Sequence, residues 1–318
     1  MALNRLPSSM FSIVLGLAGL GACWRQMTLI FGLPGVVGEA IMLAAAAVWL
    51  ILAVAFVLRC LTRWPDIAAE LAHPVQCCFL GLAFVATLLM AGTVKPYSVA
   101  AAEAFLWLGL AGHIPFIAWR VGRLWTGSRP AEAMTPVLYL PLVAGNFAAA
   151  IATGTLGHTE LGMLFFGAGM LSWLAIESTV WVRLFVHPEM APQIRPLIGI
   201  QLAPPVVGLV AWMSVNPGPP GPFAYGLLGY GLLQYLILAG MIRWLREAPF
   251  SPAYWAFSFG VTAAPLSALM LVANGAGPVV EAIALALFVL ANLAIAGLAV
   301  GTVGLLVQGR LLPPQPAR

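Results

Sequence analysis

The chain has 318 residues, 62% of them hydrophobic and only 8% charged, with a mean hydropathy of +1.00. A soluble domain carries about 25% charged residues, so a soluble globular protein, a disordered chain and a disulfide scaffold are excluded. The net charge of +4 is too small to support a nucleic-acid partner.

A helix that crosses a bilayer core of about 30 Å needs ~20 residues. Ten apolar runs meet that length, near residues 8–24, 38–58, 76–93, 98–119, 137–156, 160–182, 196–215, 222–242, 252–273 and 279–308. The connections between them are short, so residues 1–318 are predicted to form a single all-α, ten-helix transmembrane domain embedded in membrane lipid. The segment from Met1 to Pro7 is too short for a cleaved leader, and the first span is expected to be retained.

The basic residues assign an orientation. Arg5, Arg59, Arg63, Arg120, Arg123, Arg129, Arg183, Arg195, Arg243, Arg246, Arg310 and Arg318 fall on one side of the ten runs, and only Arg25 and Lys95 on the other. By the positive-inside rule the first side, with both termini, is cytoplasmic. A multi-pass protein of the inner (plasma) membrane follows. The pI near 9.1 then reflects topology rather than a binding patch.

Four cysteines, Cys23, Cys60, Cys77 and Cys78, lack metal-ligand spacing and read as small apolar filler. The odd-numbered spans share a different feature. Pro7, Pro74, Pro136, Pro196 and Pro252 stand at or just before their cytoplasmic starts, where a missing N–H costs nothing. A period near 60 residues with two spans per period reads as five helical hairpins, as in transporters built from repeats.

Odd spans also carry interior breakers: Gly16, Gly19 and Gly21, Gly81, Pro141 and Gly145, Pro204, Pro205 and Gly208, Gly260 and Pro265. Irregular backbone at membrane depth is tolerated only inside protein or beside water. These helices are therefore predicted to line a pathway, and Pro141, Pro204, Pro205 and Pro265 to kink them.

Little in that pathway can do chemistry. Glu177, Glu103 and His113 are the intramembrane ionisable groups, and Glu103 and His113 fall on different helix faces. His73, His158 and His187 are scattered over loops. No catalytic or phosphate-binding motif occurs, so neither an enzyme, a metal nor a cofactor is expected. With no Lys or Arg deep in an odd span, the pathway is predicted to be neutral. The N-termini of all five odd helices point at the cytoplasm, and their partial positive charge favours anions.

Several stretches carry a family resemblance. Leu138-Tyr139-Leu140-Pro141-Leu142-Val143-Ala144-Gly145-Asn146-Phe147 in span five resembles the tellurite-resistance/dicarboxylate transporter family, which includes plant slow anion channels. So do Leu164-Phe165-Phe166-Gly167-Ala168-Gly169-Met170, Leu202-Ala203-Pro204, Gly229-Tyr230-Gly231 and His73-Pro74-Val75. The most telling stretch is Trp255-Ala256-Phe257-Ser258-Phe259-Gly260 in span nine.

The resemblance implies five hairpins with quasi-fivefold symmetry around a central pore, assembled as a homotrimer with one pore per subunit. It implies that Phe259 blocks the pore midway and that Phe257 packs outward. Leu15, Gly16, Val143, Asn146, Ala203 and Val207 are candidate pore-lining residues from their place on odd spans. Relatives carry prolines where this chain has Val14 and, in span three, near Phe84. Those helices should be straighter here, and Phe84 is either a packing residue, the favoured reading, or a second constriction.

The leading expectation is a passive channel for small inorganic anions such as chloride and nitrate. The alternative implied by the family is a proton-coupled C4-dicarboxylate (malate) or tellurite transporter. A non-transporting membrane scaffold is the third reading.

Overall fold

The computed structural model describes residues 3–127, 130 and 133–312; Arg129 and Arg318, placed above on the cytoplasmic side, lie outside them. Ten helices are long and apolar enough to span a membrane. They are α1 (Ser8–Phe31), α2 (Gly35–Thr62), α3 (Cys77–Val94), α4 (Val99–Trp125) and α5 (Pro136–Thr155), followed by α6 (Thr159–Val186), α7 (Pro192–Val215), α8 (Pro222–Gly240), α9 (Pro252–Ala273) and α10 (Pro278–Val307). No strand occurs among the described residues.

Every predicted run corresponds to one of these helices. The clearest disagreement is the end of α1, since Arg25 interrupts the apolar run and predicts an end near residue 24. The helix instead passes through Arg25 to Phe31 and stops at Gly32, whose φ of 70° suits a residue without Cβ, with its N–H on Thr28 O at 3.0 Å. Arg25 is tolerated there because it is paired. Its Nε and Nη2 meet the two carboxylate oxygens of Glu39 on α2, each at 2.8 Å.

Burial separates the helices into two sets. In the most apolar window of each helix, 44–89% of residues are buried in odd-numbered spans and 22–33% in even-numbered ones. Contacts explain the difference. α1 packs against α3, α3 against α5, α5 against α7, α7 against α9, and α9 returns to α1. Each even span lies against the odd span before it and turns residues such as Leu43, Leu164, Leu236 and Val289 outward. An apolar surface of that kind suits a hydrocarbon solvent.

The two sets also differ in backbone. α2, α4, α6, α8 and α10 are continuous α-helices, and α4 holds Pro115 without a break. The odd spans begin irregularly. α1 opens with a 3-10 turn at Ser8–Met10, and α3 is interrupted at Gly81. α5 has a 3-10 turn at Pro136–Leu138 and then a π-helical turn at Leu140–Ala144. α7 runs as 3-10 helix from Pro192 to Leu202 before its α-helical part, and α9 does so from Pro252 to Phe257. Extended 3-10 runs and π turns are uncommon and concentrate at functional segments. α9 stays α-helical across Pro265. The departures from α-helix lie towards the starts of the odd helices.

α1 is regular across Val14, as expected of a helix lacking proline there. On the face that carries the termini, arginines do more than mark topology. Arg59 bonds Leu6 O at 3.0 Å and pairs with Glu70 at 2.8 Å. Arg195 bonds Met190 O and Trp244 O and pairs with Glu189 and Glu247. Arg120 donates to Cys77 Sγ at 2.7 Å, so Cys77 is a hydrogen-bond partner rather than inert filler. All four cysteines are free thiols.

Candidate functional site

Two cavities lie among the odd spans. The near cavity, towards the termini, has a volume of about 180 Å³. Its walls include Ser12 and Leu15 of α1, Phe79 and Leu82 of α3, Val143 and Phe147 of α5, Ala203 and Pro204 of α7, and Trp255 of α9. The far cavity, about 240 Å³, is walled by Ala22 and Arg25 of α1, Leu89 and Thr93 of α3, Ile151 and Thr155 of α5, Ser214 of α7, and Leu266 and Met270 of α9. Along α1, α5, α7 and α9 the lining residue numbers rise from the first cavity to the second, so the two are stacked along the helix axes.

Among the described residues, only Phe259 and Val207 line both. The Phe259 ring is 9% exposed and stands with Val207 as the septum between the two spaces. Phe257 lies elsewhere. It covers Gly199 of α7 so closely that a Cβ there would meet the ring at 2.4 Å, and it stacks on Tyr254 at 6.5 Å.

The remaining candidates divide. Leu15, Val143 and Ala203 line the near cavity, and Val207 lines both. Gly16 does not line either: it is the seat on which α9 packs, and a Cβ there would lie 2.6 Å from Ser258 Cβ. Asn146 also faces away, with its amide donating to Leu142 O at 2.6 Å and its Cβ over Gly169 of α6. The π turn just before it explains the correction, because an inserted residue moves the following ones around the helix axis. Phe147 takes the cavity-facing position instead.

Phe84 follows the packing reading rather than that of a second constriction. Its ring packs against Phe116 at 5.9 Å and over Gly112 of α4. It borders a crevice with Trp49 and Phe56 of α2 on the outer side of α3, so it constricts neither cavity. Pro141 and Pro204 stand where irregular backbone begins or ends, whereas Pro205 sits against Gly231 of α8.

Two groups escaped the sequence reading. Arg25 lines the far cavity, so the pathway is not wholly neutral. The glycine-proline turn at Gly32-Leu33-Pro34 was the available signal that α1 continues past it. The second is a hydrogen-bond cage around Glu177. Its carboxylate accepts from Tyr139 Oη at 2.5 Å, Tyr230 Oη at 2.6 Å, Trp173 Nε1 at 2.8 Å, and Trp181 Nε1 and Gln201 Nε2 at 2.9 Å each. Four helices meet there, and Tyr139 also borders the near cavity.

The other ionisable candidates are dispersed. Glu103 pairs with His158 at 2.9 Å near the far ends of α4 and α5, while His113 is buried against Gly145. No group of three or more metal-ligating side chains occurs among the described residues.

The site is thus a pair of stacked, largely apolar cavities among five inner helices, meeting at Phe259 and Val207 and carrying one guanidinium on the far wall. Residues 5–303 match the family profile described as SLAC1, voltage-dependent anion channel. This chain belongs to the SLAC1 family.

Among SLAC1-family relatives, the chain is 33% identical over 306 residues to the tellurite resistance protein TehA homolog of Haemophilus influenzae, covering 96% of this chain and 92% of that protein. It is 25% identical over 314 residues to the S-type anion channel SLAH3 of Arabidopsis thaliana, covering 95% of this chain and 48% of the relative. To the guard cell S-type anion channel SLAC1 of the same plant it is 22% identical over 278 residues, covering 84% and 50%. The chain therefore spans about half the length of these two plant relatives. The SLAC1-family match extends across nine of the ten spans completely and into the tenth.

Proposed function

We propose that this chain is a passive anion channel of the plasma membrane, with Phe259 as its gate and chloride and nitrate among the ions conducted. The observation that carries this reading is the meeting of two stacked cavities at Phe259 and Val207. An apolar constriction stops ions by dewetting and exclusion, with no charge barrier needed. The cyclic contacts among α1, α3, α5, α7 and α9 support five hairpins with quasi-fivefold symmetry around one pore. The concentration of arginines on the face bearing the termini supports cytoplasmic termini, and the apolar outer faces of the even spans are compatible with a homotrimer in lipid.

The test is conduction by Phe259→Ala in planar bilayers. Removing the ring should raise chloride and nitrate currents more than about tenfold over the parent, without a pH gradient. Silence in this variant, with the protein folded, overturns the reading.

A transporter of dicarboxylate needs a fixed cation in the pathway, and Arg25 supplies one. Its guanidinium is already committed to Glu39, Gly92 O and Thr93 O, which favours a lasting wall charge over a binding site emptied and refilled in a transport cycle. Proton-dependent malate uptake, in place of electrogenic chloride flux, would reverse that choice.

A further inference from the structure

Arg25 carries the only formal charge on the walls of either cavity among the described residues. It sits on α1, one of the five helices that line both spaces, in a region where the other lining groups are alkyl chains, hydroxyls, an amide and one phenyl ring. Its surroundings are built to hold it in one place. Glu39 of α2 takes Nε and Nη2 at 2.8 Å, and the carbonyls of Gly92 and Thr93, in the last turn of α3, take Nη1 and Nη2 at 3.0 and 3.1 Å. Tyr97, in the loop after α3, donates to the same Glu39 carboxylate.

The arrangement has a direction. Glu39 does not line the far cavity, whereas Arg25 does. Gly92 and Thr93 share the wall with Arg25, but the one carboxylate that pairs with the guanidinium stands off the lining, so the formal charge on the wall itself is positive. Lys95 adds to this field from the rim, donating to the carbonyl of Thr155, itself a lining residue, at 2.5 Å. A charge beside a narrow, low-dielectric wall acts strongly on small ions.

We propose that Arg25 sets the anion preference of the far vestibule, and that Glu39 tunes it by cancelling part of that charge. The inference rests on the channel reading for its role in conduction, but the local potential it requires can be measured independently.

The probe is a cysteine at Ser214, a lining residue of the far cavity, or at Gln26, also a lining residue and next to Arg25. Each is challenged from the far side with an anionic and a cationic methanethiosulfonate of similar size. The parent protein, whose Cys23, Cys77 and Cys78 are buried, is the control. In the starting background the anionic reagent should react faster. Glu39→Gln keeps an oxygen for Arg25 but removes the negative charge, and should raise the anionic-to-cationic rate ratio about three- to tenfold. Arg25→Gln should lower it by a similar factor.

In a Phe259→Ala background, Glu39→Gln should also increase the current carried by anions entering from the far side, with the gain shrinking at high salt. A reagent ratio unmoved by Glu39→Gln overturns the proposal even if Arg25→Gln fails to fold. So does the absence of reaction at both cysteines, since the far cavity would then not open to that side. A shifted ratio with no current in Phe259→Ala would uphold the vestibule potential and refute the channel reading instead.

Discussion

The Tyr139 hydroxyl donates a 2.5 Å hydrogen bond to Glu177 across the α5–α6 interface, and the same tyrosine forms part of the near-cavity wall. The carboxylate of an outer helix thus braces an inner one. Because four further donors from α6, α7 and α8 converge on it, the group acts as a shared acceptor for four of the ten spans.

We expect Glu177→Ala to destabilise the protein by about 2–4 kcal/mol, since orphaned donors in a low-dielectric site each cost about 1–3 kcal/mol and are only partly rescued by rearrangement. Glu177→Gln should cost less, retaining one acceptor oxygen. Thermal unfolding in detergent, followed by tryptophan fluorescence, reads both. An unchanged midpoint for the alanine variant would show that the cage contributes nothing to stability.

The two phenylalanines of α9 should behave as opposites. Phe259→Ala opens the septum and should conduct, at a stability cost below the ~3–5 kcal/mol typical of a core phenylalanine, because cavities already flank the ring. Phe257→Ala vacates the packing over Gly199 and should lose stability without gaining current. Currents and melting curves on the pair decide this; conduction by the Phe257 variant alone would place the gate on the wrong helix face.

Phe84→Ala offers a separate check on the lining. With its ring between α3 and α4, the substitution should leave the current of a Phe259→Ala channel within about twofold while costing about 2–4 kcal/mol. A large rise in current would mean that the ring narrows the pore after all.

The number and order of the spans were legible because charge is so costly in hydrocarbon that it falls between them. The same rule failed at Arg25, where Glu39 and two carbonyls satisfy the guanidinium inside a helix. Helix phase was harder to read. All six lining candidates were chosen for their place on odd spans, with no reading of phase; Leu15, Val143, Ala203 and Val207 border a cavity and Gly16 and Asn146 do not. Phase depends on where the backbone departs from 3.6 residues per turn, and the π turn in α5 leaves only Pro141 as its mark in the sequence. Phe84 was left between two readings for a related reason: its place in the sequence says which helix the ring is on, but the small Gly112 opposite decides where it turns. The Glu177 cage was invisible because its donors come from four helices and are brought together only by tertiary packing.

Orientation can be tested with thiol chemistry. Cysteines introduced at Asn216, between α7 and α8, and at Gly277, before α10, should react with an impermeant reagent added outside intact cells. Those at Thr126 and Gln308, which follow α4 and α10, should not. Labelling of position 126 from outside would invert the proposed topology.

The septum formed by Phe259 and Val207 is thin compared with the helices that carry it. In the proposed channel, electrolyte filling the vestibules on either side would bring each nearly to the potential of its own bath, and the membrane voltage would fall across little more than one aromatic ring. A charged blocker resting in the near vestibule would then cross almost none of the electrical drop, so its affinity should hardly change with voltage. Movement of the ring, by contrast, would reshape the very place where the field is steepest.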